Sequence, residues 1–234
     1  MCISEYRLCR HYGGQMRPEP SGNPVINSLR RYFPGVRRWR QLRAWRKRGY
    51  GLPAPNMVKI EVLLRRGLPD AIWIETGTFL GDTTDALARQ ASHVYTIEPS
   101  VDLVTRARIR FEGRSNITVL EGTSEMMLQP TIGGISGDVN FWLDGHFSSG
   151  PAFHGAFHGA SETPIIDELQ TIERHLSRLG RIVICIDDIR CFRSGNEGMP
   201  TYPERSFLVE WADRHGFSWE IEHDILIATR LAQS

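Results

Sequence analysis

The sequence predicts an α/β domain built on a doubly wound, mostly parallel sheet with a C-terminal antiparallel hairpin. From residue 57 onward, strand-like apolar runs alternate with helix-like segments, which is the pattern of parallel strands joined by helical crossovers. Residues 182–186 are apolar at every position, which is typical of a strand buried on both faces. Near the end of the chain, two short strand-like segments at 218–222 and 225–229 indicate a hairpin.

Local signals mark the remaining elements in order. Ser100 is the predicted N-cap of one helix, and Gly113 lies just beyond its end. Thr163 followed by Pro164 opens a long helix that we expect Gly180 to close. The predicted strands are 71–76, 93–98, 117–121, 138–144 and 181–187, and the predicted helices are 57–66, 83–90, 100–112, 125–129, 163–180 and 203–215.

Charge divides the chain into a basic arm, residues 1–56, and a catalytic domain, residues 57–234. The first 50 residues carry 12 Arg and Lys against two acidic residues, whereas the remainder carries 16 against 25. Glycines and prolines interrupt the arm, and only residues 36–48 are compatible with a short basic helix, which lacks a clean apolar face. We expect the arm to pack its tryptophans on the domain or to form a homo-oligomer contact. Nucleic acid and membrane are the less favoured partners.

The composition also predicts a compartment. No apolar run reaches the roughly 20 residues that a membrane span needs, and the N-terminus has no apolar core of a secretory signal. The four cysteines show no paired CxxC spacing. We therefore expect a cytoplasmic protein with reduced thiols.

Each of the five predicted parallel strands ends in acidic residues. These are Glu75, Glu98, Glu121, Asp144 and the pair Asp187 and Asp188. Because ligands of such sheets bind at the carboxyl ends of the strands, the set indicates a site at that edge. Any one of these residues alone is explained equally well as an ordinary turn or helix-cap residue.

The first strand leads into a glycine-bearing turn, whose candidate cofactor-binding residues are Glu75, Gly77, Thr78, Gly81 and Asp82. Backbone can approach a ligand closely at such a turn. A dinucleotide fingerprint starting at Gly77 requires glycine at position 79 and glycine or alanine at 82, but the chain has Phe79 and Asp82. Glu75 and Asp82 would also repel a pyrophosphate, whereas they would attract the sulfonium and ammonium groups of S-adenosylmethionine. The turn therefore favours S-adenosylmethionine over NAD.

Two further strand ends fit the adenosine part of such a cofactor. Glu98 lies 17 residues beyond Gly81, at the distance where a carboxylate accepts hydrogen bonds from both ribose hydroxyls. The polar turn Glu121, Gly122, Thr123 and Ser124 suits an adenine edge, although an ordinary helix-capping turn has the same composition. Neither feature separates S-adenosylmethionine from NAD.

Three segments resemble the first motifs of class I S-adenosylmethionine-dependent methyltransferases. They are Ile-Glu-Thr-Gly-Thr-Phe-Leu-Gly at 74–81, Tyr-Thr-Ile-Glu-Pro at 95–99 and Val-Leu-Glu-Gly at 119–122, with Thr78 at the place of the middle glycine. The resemblance extends from about residue 57 to 230 and implies a Rossmann-like methyltransferase fold that uses S-adenosylmethionine.

Within that class, Leu-Asp-Gly-His at 143–146 and Ile-Asp-Asp at 186–188 are similar to macrocin-type sugar O-methyltransferases. That resemblance implies a divalent metal, Mg²⁺, held by Asp144, Asp187 and Asp188. It also implies that Asp144 and His146 are catalytic, with His146 as the general base.

The residues leave alternatives open at this end of the sheet. Adjacent carboxylates such as Asp187 and Asp188 repel and need a positive partner, which could be Mg²⁺ or an arginine such as Arg190 or Arg193. His154 and His158 favour a lid rather than a metal pair. Lys59 is the only lysine of the domain, and we therefore expect no metal site that is assisted by a catalytic lysine.

The leading hypothesis is S-adenosylmethionine-dependent methylation of a small-molecule hydroxyl, such as that of a sugar or secondary metabolite, with assistance from Mg²⁺. One alternative is an oxidoreductase with a nucleotide cofactor, which the failed glycine fingerprint disfavours. The other is a non-catalytic adenosine-binding or assembly module whose arm carries the function.

Overall fold

The computed structural model describes residues 34–144, 163–193 and 202–231. The strands in this part of the chain are β1 (Ile72–Thr76), β2 (His93–Glu98), β3 (Ile117–Glu121), β4 (Gly137–Leu143), β5 (Leu179–Ile186), β6 (Ser218–Glu222) and β7 (Ile225–Arg230). They form a single sheet in the order β3-β2-β1-β4-β5-β7-β6. Strands β1 to β5 are parallel, and β7 is antiparallel to both β5 and β6. The predicted fold class, including the C-terminal hairpin, is confirmed.

Helices cover both faces of this sheet. They are α1 (Pro34–Lys47), α2 (Asn56–Arg66), α3 (Asp82–Leu87), α4 (Val101–Arg110), α5 (Ser124–Gly133), α6 (Ile165–Glu173) and α7 (Arg205–Arg214), with a short 3₁₀ helix at Ile189–Cys191. Successive residues of a strand point to opposite faces, so β5 sends Ile182 and Ile184 into one core and Val183 and Cys185 into the other. The first core packs against α5, α6 and α7, and the second against α2 and α3.

The helix predicted at 163–180 is shorter than expected, and the glycine predicted to close it has a different role. Helix α6 ends at Glu173, and Gly180 lies within β5 instead of closing the helix. A Cβ at Gly180 would stand 2.6 Å from the Asp138 side chain of β4. The glycine therefore allows the close approach of two strands. From the sequence alone, a glycine with this role looks the same as a glycine that ends a helix.

The last part of the arm packs on the domain. Trp45 of α1 is 6% exposed, its indole N–H donates to the Gly51 carbonyl at 3.0 Å, and its ring lies 5.3 Å from that of His223 in the β6–β7 turn. Trp39, on the same helix, is 57% exposed. The prediction that the arm packs its tryptophans on the domain therefore holds for Trp45 but not for Trp39. Residues 1–33 of the arm lie outside the described residues. None of the described helices has the length and apolar character needed to cross a bilayer.

The register of the sheet brings the carboxyl ends of the strands level. Thr76 at the end of β1 is paired with Ile97 of β2 and Leu143 of β4, and Leu143 is paired in turn with Ile186 of β5. From β1 the chain proceeds to one side of the sheet, and from β4 to the other. The ends of β1 and β4 thus form the switch point at which folds of this type open a ligand-binding crevice.

Candidate active site

Glu75 lies in β1 close to this switch point, and its carboxylate is fully buried. Its Oε2 accepts hydrogen bonds from Thr84 Oγ1 at 2.5 Å and from Thr96 Oγ1 at 2.7 Å. Its Oε1 is buried and has no hydrogen-bond partner among the described residues. Burial raises the pKa of Glu75 from 4.5 to about 8, against the two threonine hydrogen bonds and with a further contribution from the neighbouring Asp144 charge. A cation brought to this carboxyl would therefore stabilise its ionised form.

The turn after β1 has a backbone that glycine makes possible. Gly77 and Gly81 have φ angles of 93° and 78°, in the left-handed region. A Cβ on Gly81 would lie 2.7 Å from the ring of Phe111, so this position also needs the absence of a side chain. Phe79 has φ 47° and donates its N–H to Glu98 Oε2 at 2.9 Å. The turn is thus fixed by its own glycines and by the next strand.

Glu98 ends β2 next to this turn, as the spacing predicts. Its Oε1 accepts the Ser100 N–H at 3.0 Å, and its Oε2 accepts the Phe79 N–H. Burial raises the pKa of Glu98, while these two backbone hydrogen bonds oppose the rise. A carboxylate has about four lone-pair positions, so both oxygens keep acceptor capacity for a pair of hydroxyls.

Two predicted residues lie on the rim rather than in the crevice. The Asp82 side chain is 62% exposed and forms an ion pair with Arg110 at 2.8 Å. The Glu121 side chain is 43% exposed and pairs with Arg108 at 3.2 Å. In the turn after Glu121, Gly122 donates its N–H to the Glu98 carbonyl.

The rest of that turn begins helix α5. Thr123 is the N-cap residue of α5 without a side-chain capping bond, and Ser124 is buried. Thr78, in the first turn, is also buried and shares a 2.6 Å hydrogen bond with Thr96. Thr78 therefore supports the hydroxyl network around Glu75.

Asp144 follows β4 on the other side of the switch point. Its backbone N–H donates to Thr76 at 3.2 Å, which holds it beside the end of β1. Its charge influences the pKa of Glu75 on one side and the pKa values of Lys59 and Asp187 on the other. Asp144 therefore lies between the two halves of the candidate site.

The third group of carboxylates is already paired with cations. Lys59 Nζ lies 2.6 Å from both oxygens of Asp187 and 3.1 Å from Asp188 Oδ1. The Arg190 guanidinium donates to Asp188 Oδ1 at 2.5 Å and also to Asp224 Oδ2. Burial lowers the pKa of Lys59, but the surrounding carboxylates outweigh it and keep the ammonium charged. We call these five residues the Lys59 cluster.

The oxygen atoms in this cluster that could ligate a metal are those of Asp187, Asp188 and Asp224, which lie within 4.8 Å of one another. A Mg²⁺ ion on the Asp187 oxygens would bind at about 2 Å from them and would share them with the Lys59 ammonium. At 4 Å and an effective dielectric constant near 20, repulsion between a dication and an ammonium is about 8 kcal/mol. The residues therefore do not fit Mg²⁺ in this arrangement.

Sequence reasoning missed two members of the cluster. Lys59 lies on the buried stripe of α2 together with Val62 and Leu63, three and four residues further on. A lysine at an apolar position of an amphipathic helix was the available signal, since such a residue needs a buried partner. Asp224 offers no comparable signal because an aspartate in a hairpin turn is common.

The histidine predictions are not decided by the structure. His146, the predicted general base, and the pair His154 and His158 lie outside the described residues, as do residues 194–201 of the loop after β5. Of the two predicted catalytic residues, only Asp144 has a described position.

The described residues fit an S-adenosylmethionine-type cofactor. Glu75 and Glu98 form no ion pair with any other described residue, and the buried Glu75 Oε1 is available for a cationic group. The positive φ angles of Gly77 and Gly81 shape the backbone of the turn next to these two carboxyl groups. A diphosphate would keep the buried Glu75 carboxyl in its neutral form and would gain no ion pair from Glu75 or Glu98.

Comparison with solved structures finds similar folds. The chain is similar to an rRNA methylase from Streptococcus thermophilus, with 17% identity over 78% of this chain and 99% of that one and a TM-score of 0.44. It is also similar to SMU.1697c from Streptococcus mutans, solved in complex with SAH, with 16% identity, coverages of 76% and 99%, and a TM-score of 0.48. For the N-methyltransferase NodS from Bradyrhizobium japonicum, the identity is 13%, the coverages are 76% and 97%, and the TM-score is 0.47.

No protein-family model matches the sequence, and no curated protein matches it. At these identities the likeness to solved structures concerns the fold alone. Because one fold supports many reactions, the function has to be argued from the site.

Proposed function

We propose that this chain binds S-adenosylmethionine and transfers its methyl group to a hydroxyl of a small molecule. The observation that carries the proposal is the buried Oε1 of Glu75, which has no hydrogen-bond partner among the described residues beneath the glycine turn. A buried polar atom without a partner costs free energy, and Glu75 Oε1 is one of several such atoms among the described residues. Its place at the switch point is what supports a ligand group there. The acidic surroundings specify that this group is a cation.

The cofactor has groups that match these residues. Its ammonium and sulfonium carry the positive charge that Glu75 attracts, and its ribose offers two hydroxyls to the oxygens of Glu98. The turn from Gly77 to Gly81 approaches the cofactor with its backbone. The turn from Glu121 to Ser124 is proposed for the adenine edge, with Glu121 exposed and Ser124 buried.

Methyl transfer requires alignment of the acceptor and removal of its proton. The acceptor oxygen attacks the methyl carbon in line with the breaking carbon–sulfur bond, and the sulfur keeps the bonding electron pair. Asp144, beside the ends of β1 and β4, is proposed to accept the hydroxyl proton or to orient the hydroxyl toward His146. Positioning of the two reactants supplies the rest of the acceleration.

The first test is isothermal titration of the full chain with S-adenosylmethionine and with NADH. We expect one equivalent of S-adenosylmethionine to bind and NADH not to bind. Since the cation favours the ionised form of Glu75, binding at pH 7 should also release a proton, which repeating the titration in buffers of different ionisation enthalpy measures. Glu75→Gln should release less. Binding of NADH without S-adenosylmethionine would refute the proposal.

The second test separates an enzyme from an adenosine-binding module. The protein is incubated with methyl-labelled S-adenosylmethionine and a panel of sugars, phenols and amines, and label transfer is measured. We expect transfer to a hydroxyl compound that falls at least 100-fold in Asp144→Asn. Tight cofactor binding without transfer to any class of acceptor would favour the non-catalytic alternative.

A further inference from the structure

The Lys59 cluster contains its own positive charge at the place where the resemblance implies a metal. Lys59 is 8% exposed and reaches Asp187 from α2, 128 residues away in the sequence. Its ammonium contacts both oxygens of Asp187 and Oδ1 of Asp188, so two carboxylates compensate its charge.

The second cation of the cluster completes the arrangement. Arg190 joins Asp188 to Asp224, and the backbone N–H groups of residues 189 and 190 also bind Asp224. Asp188 adopts φ 55° and ψ 38°, a left-handed conformation that aspartate tolerates better than most residues. Its N–H donates to Asp187 Oδ1 at 2.7 Å. The two neighbouring carboxylates are thus fixed by side chains and backbone together.

We infer that Lys59 is a built-in cation that replaces the divalent metal at the carboxyl end of β5, so that the acceptor half of the site is organised without a metal ion. Lys59 is a positioning residue in this account. It holds Asp187 and Asp188 in place next to Asp144, and it does not contact the reacting atoms. The part of the inference that concerns catalysis rests on the proposed methyltransferase function, whereas the replacement of the metal does not.

The test uses metal alone, without cofactor or acceptor. The full chain is titrated with Mn²⁺ and Mg²⁺, with calorimetry and the melting temperature as readouts. The variants are Lys59→Met, which has similar length without charge, Lys59→Arg, which keeps the charge, and Lys47→Met as a control at the chain's other, exposed lysine.

We expect wild type, Lys59→Arg and Lys47→Met to bind no Mn²⁺ at 1 mM and to show no shift in melting temperature with metal. Lys59→Met should melt lower than wild type without metal and recover part of the loss with 1 mM Mn²⁺, and Asp187→Asn in the same chain should abolish the recovery. Two outcomes would overturn the inference. One is stoichiometric Mn²⁺ binding by the wild type that Asp187→Asn removes, and the other is a Lys59→Met protein with wild-type melting temperature and no response to metal.

The same variants address catalysis once an acceptor is known. Wild-type turnover should be unchanged in excess EDTA. Lys59→Met should lose kcat without a change in cofactor affinity, and Lys59→Arg should retain much of the wild-type kcat. A wild-type rate that EDTA abolishes would overturn the inference. Failure of S-adenosylmethionine to bind would refute the proposed function but leave the metal titrations, and hence the built-in cation, as they stand.

Discussion

The proton on Glu75 should make the stability of the cofactor-free protein depend on pH. The carboxyl has a pKa of about 8 in the folded chain, against an ordinary value of 4.5, because it is buried. Between these two values the folded state holds a proton that the unfolded state has released. The free energy of unfolding therefore falls as the pH rises from 4.5 to 8.

The substitution that isolates this effect is Glu75→Gln. Glutamine has the shape of the protonated acid, can still accept from Thr84 and Thr96, and does not titrate. One pKa unit corresponds to about 1.4 kcal/mol, so the stability of wild type relative to the variant should fall by about 3 kcal/mol between pH 5.0 and pH 7.5. Other titrating groups are common to both proteins and cancel in the difference.

Urea unfolding at several pH values measures this difference directly. We expect the curves of wild type and Glu75→Gln to lie close together at pH 5 and to separate progressively up to pH 7.5, with the variant more stable. Glu112→Gln, at an exposed glutamate, should follow the wild type throughout. A gap between wild type and Glu75→Gln that stays constant with pH would show that Glu75 is ionised in the folded protein, and the proton release expected on cofactor binding would then not occur.

Three further substitutions test other parts of the structure. Glu98→Ala should weaken binding of S-adenosylmethionine by about 1–3 kcal/mol in isothermal titration, because charged hydrogen bonds to the ribose are lost; an unchanged Kd would exclude that role. Gly81→Ala should lower the free energy of unfolding by about 1–3 kcal/mol more than Gly113→Ala, since both have positive φ but only Gly81 faces a ring at 2.7 Å; equal losses in denaturant unfolding would contradict the close approach. Trp45→Ala should destabilise the domain by about 3 kcal/mol and Trp39→Ala by less than 1 kcal/mol, because only Trp45 is buried; similar melting temperatures for the two variants would mean that α1 does not pack as described.

The positions of the acidic residues along the chain were predictable from the sequence. Each parallel strand ends where an apolar run changes to polar residues, and parallel strands share one edge. The register between Glu98 and Glu121, and that between Thr76 and Leu143, follows from this alignment. Strand ends of this kind can be predicted without knowing which helix covers the strand.

The depth of each carboxylate was not predictable, because it depends on neighbours that are distant in the sequence. Glu75 precedes the last residue of a central strand and is covered on its face by Thr84 of α3. Glu121 ends β3, which lies at one border of the sheet and has a strand neighbour on one side only. Glu75 also pairs with Thr96, two residues before the level of Glu98 and Glu121, so it lies deeper in the sheet than the strand-end pattern indicates.

The partner of Asp187 was hidden for the same reason. Electrostatic argument alone required a positive group next to two adjacent carboxylates, and it left Mg²⁺ and arginine as equal candidates. The lysine comes from a helix that precedes the first strand, and only packing of α2 on the sheet brings it to the end of β5. Sequence periodicity does not reveal a contact between residues so far apart in the chain. It does single out Lys59, because a lysine in the apolar stripe of a helix needs a buried partner.

The two halves of the site differ in the origin of the charge that compensates their carboxylates. Glu75 and Glu98 have hydrogen-bond donors but no cation among the described residues, while Asp187 has Lys59 at 2.6 Å. If Lys59 stood beside Glu75 instead, a cationic cofactor would gain little electrostatic free energy on binding. Burial, Asp188 and Asp144 raise the pKa of Asp187 and Lys59 opposes that rise, so removal of Lys59 would favour the neutral form of Asp187 further. Under the proposed function, the part of the sheet edge without an internal cation attracts the positively charged donor, and the part with Lys59 and Arg190 keeps its carboxylates fixed beside the acceptor.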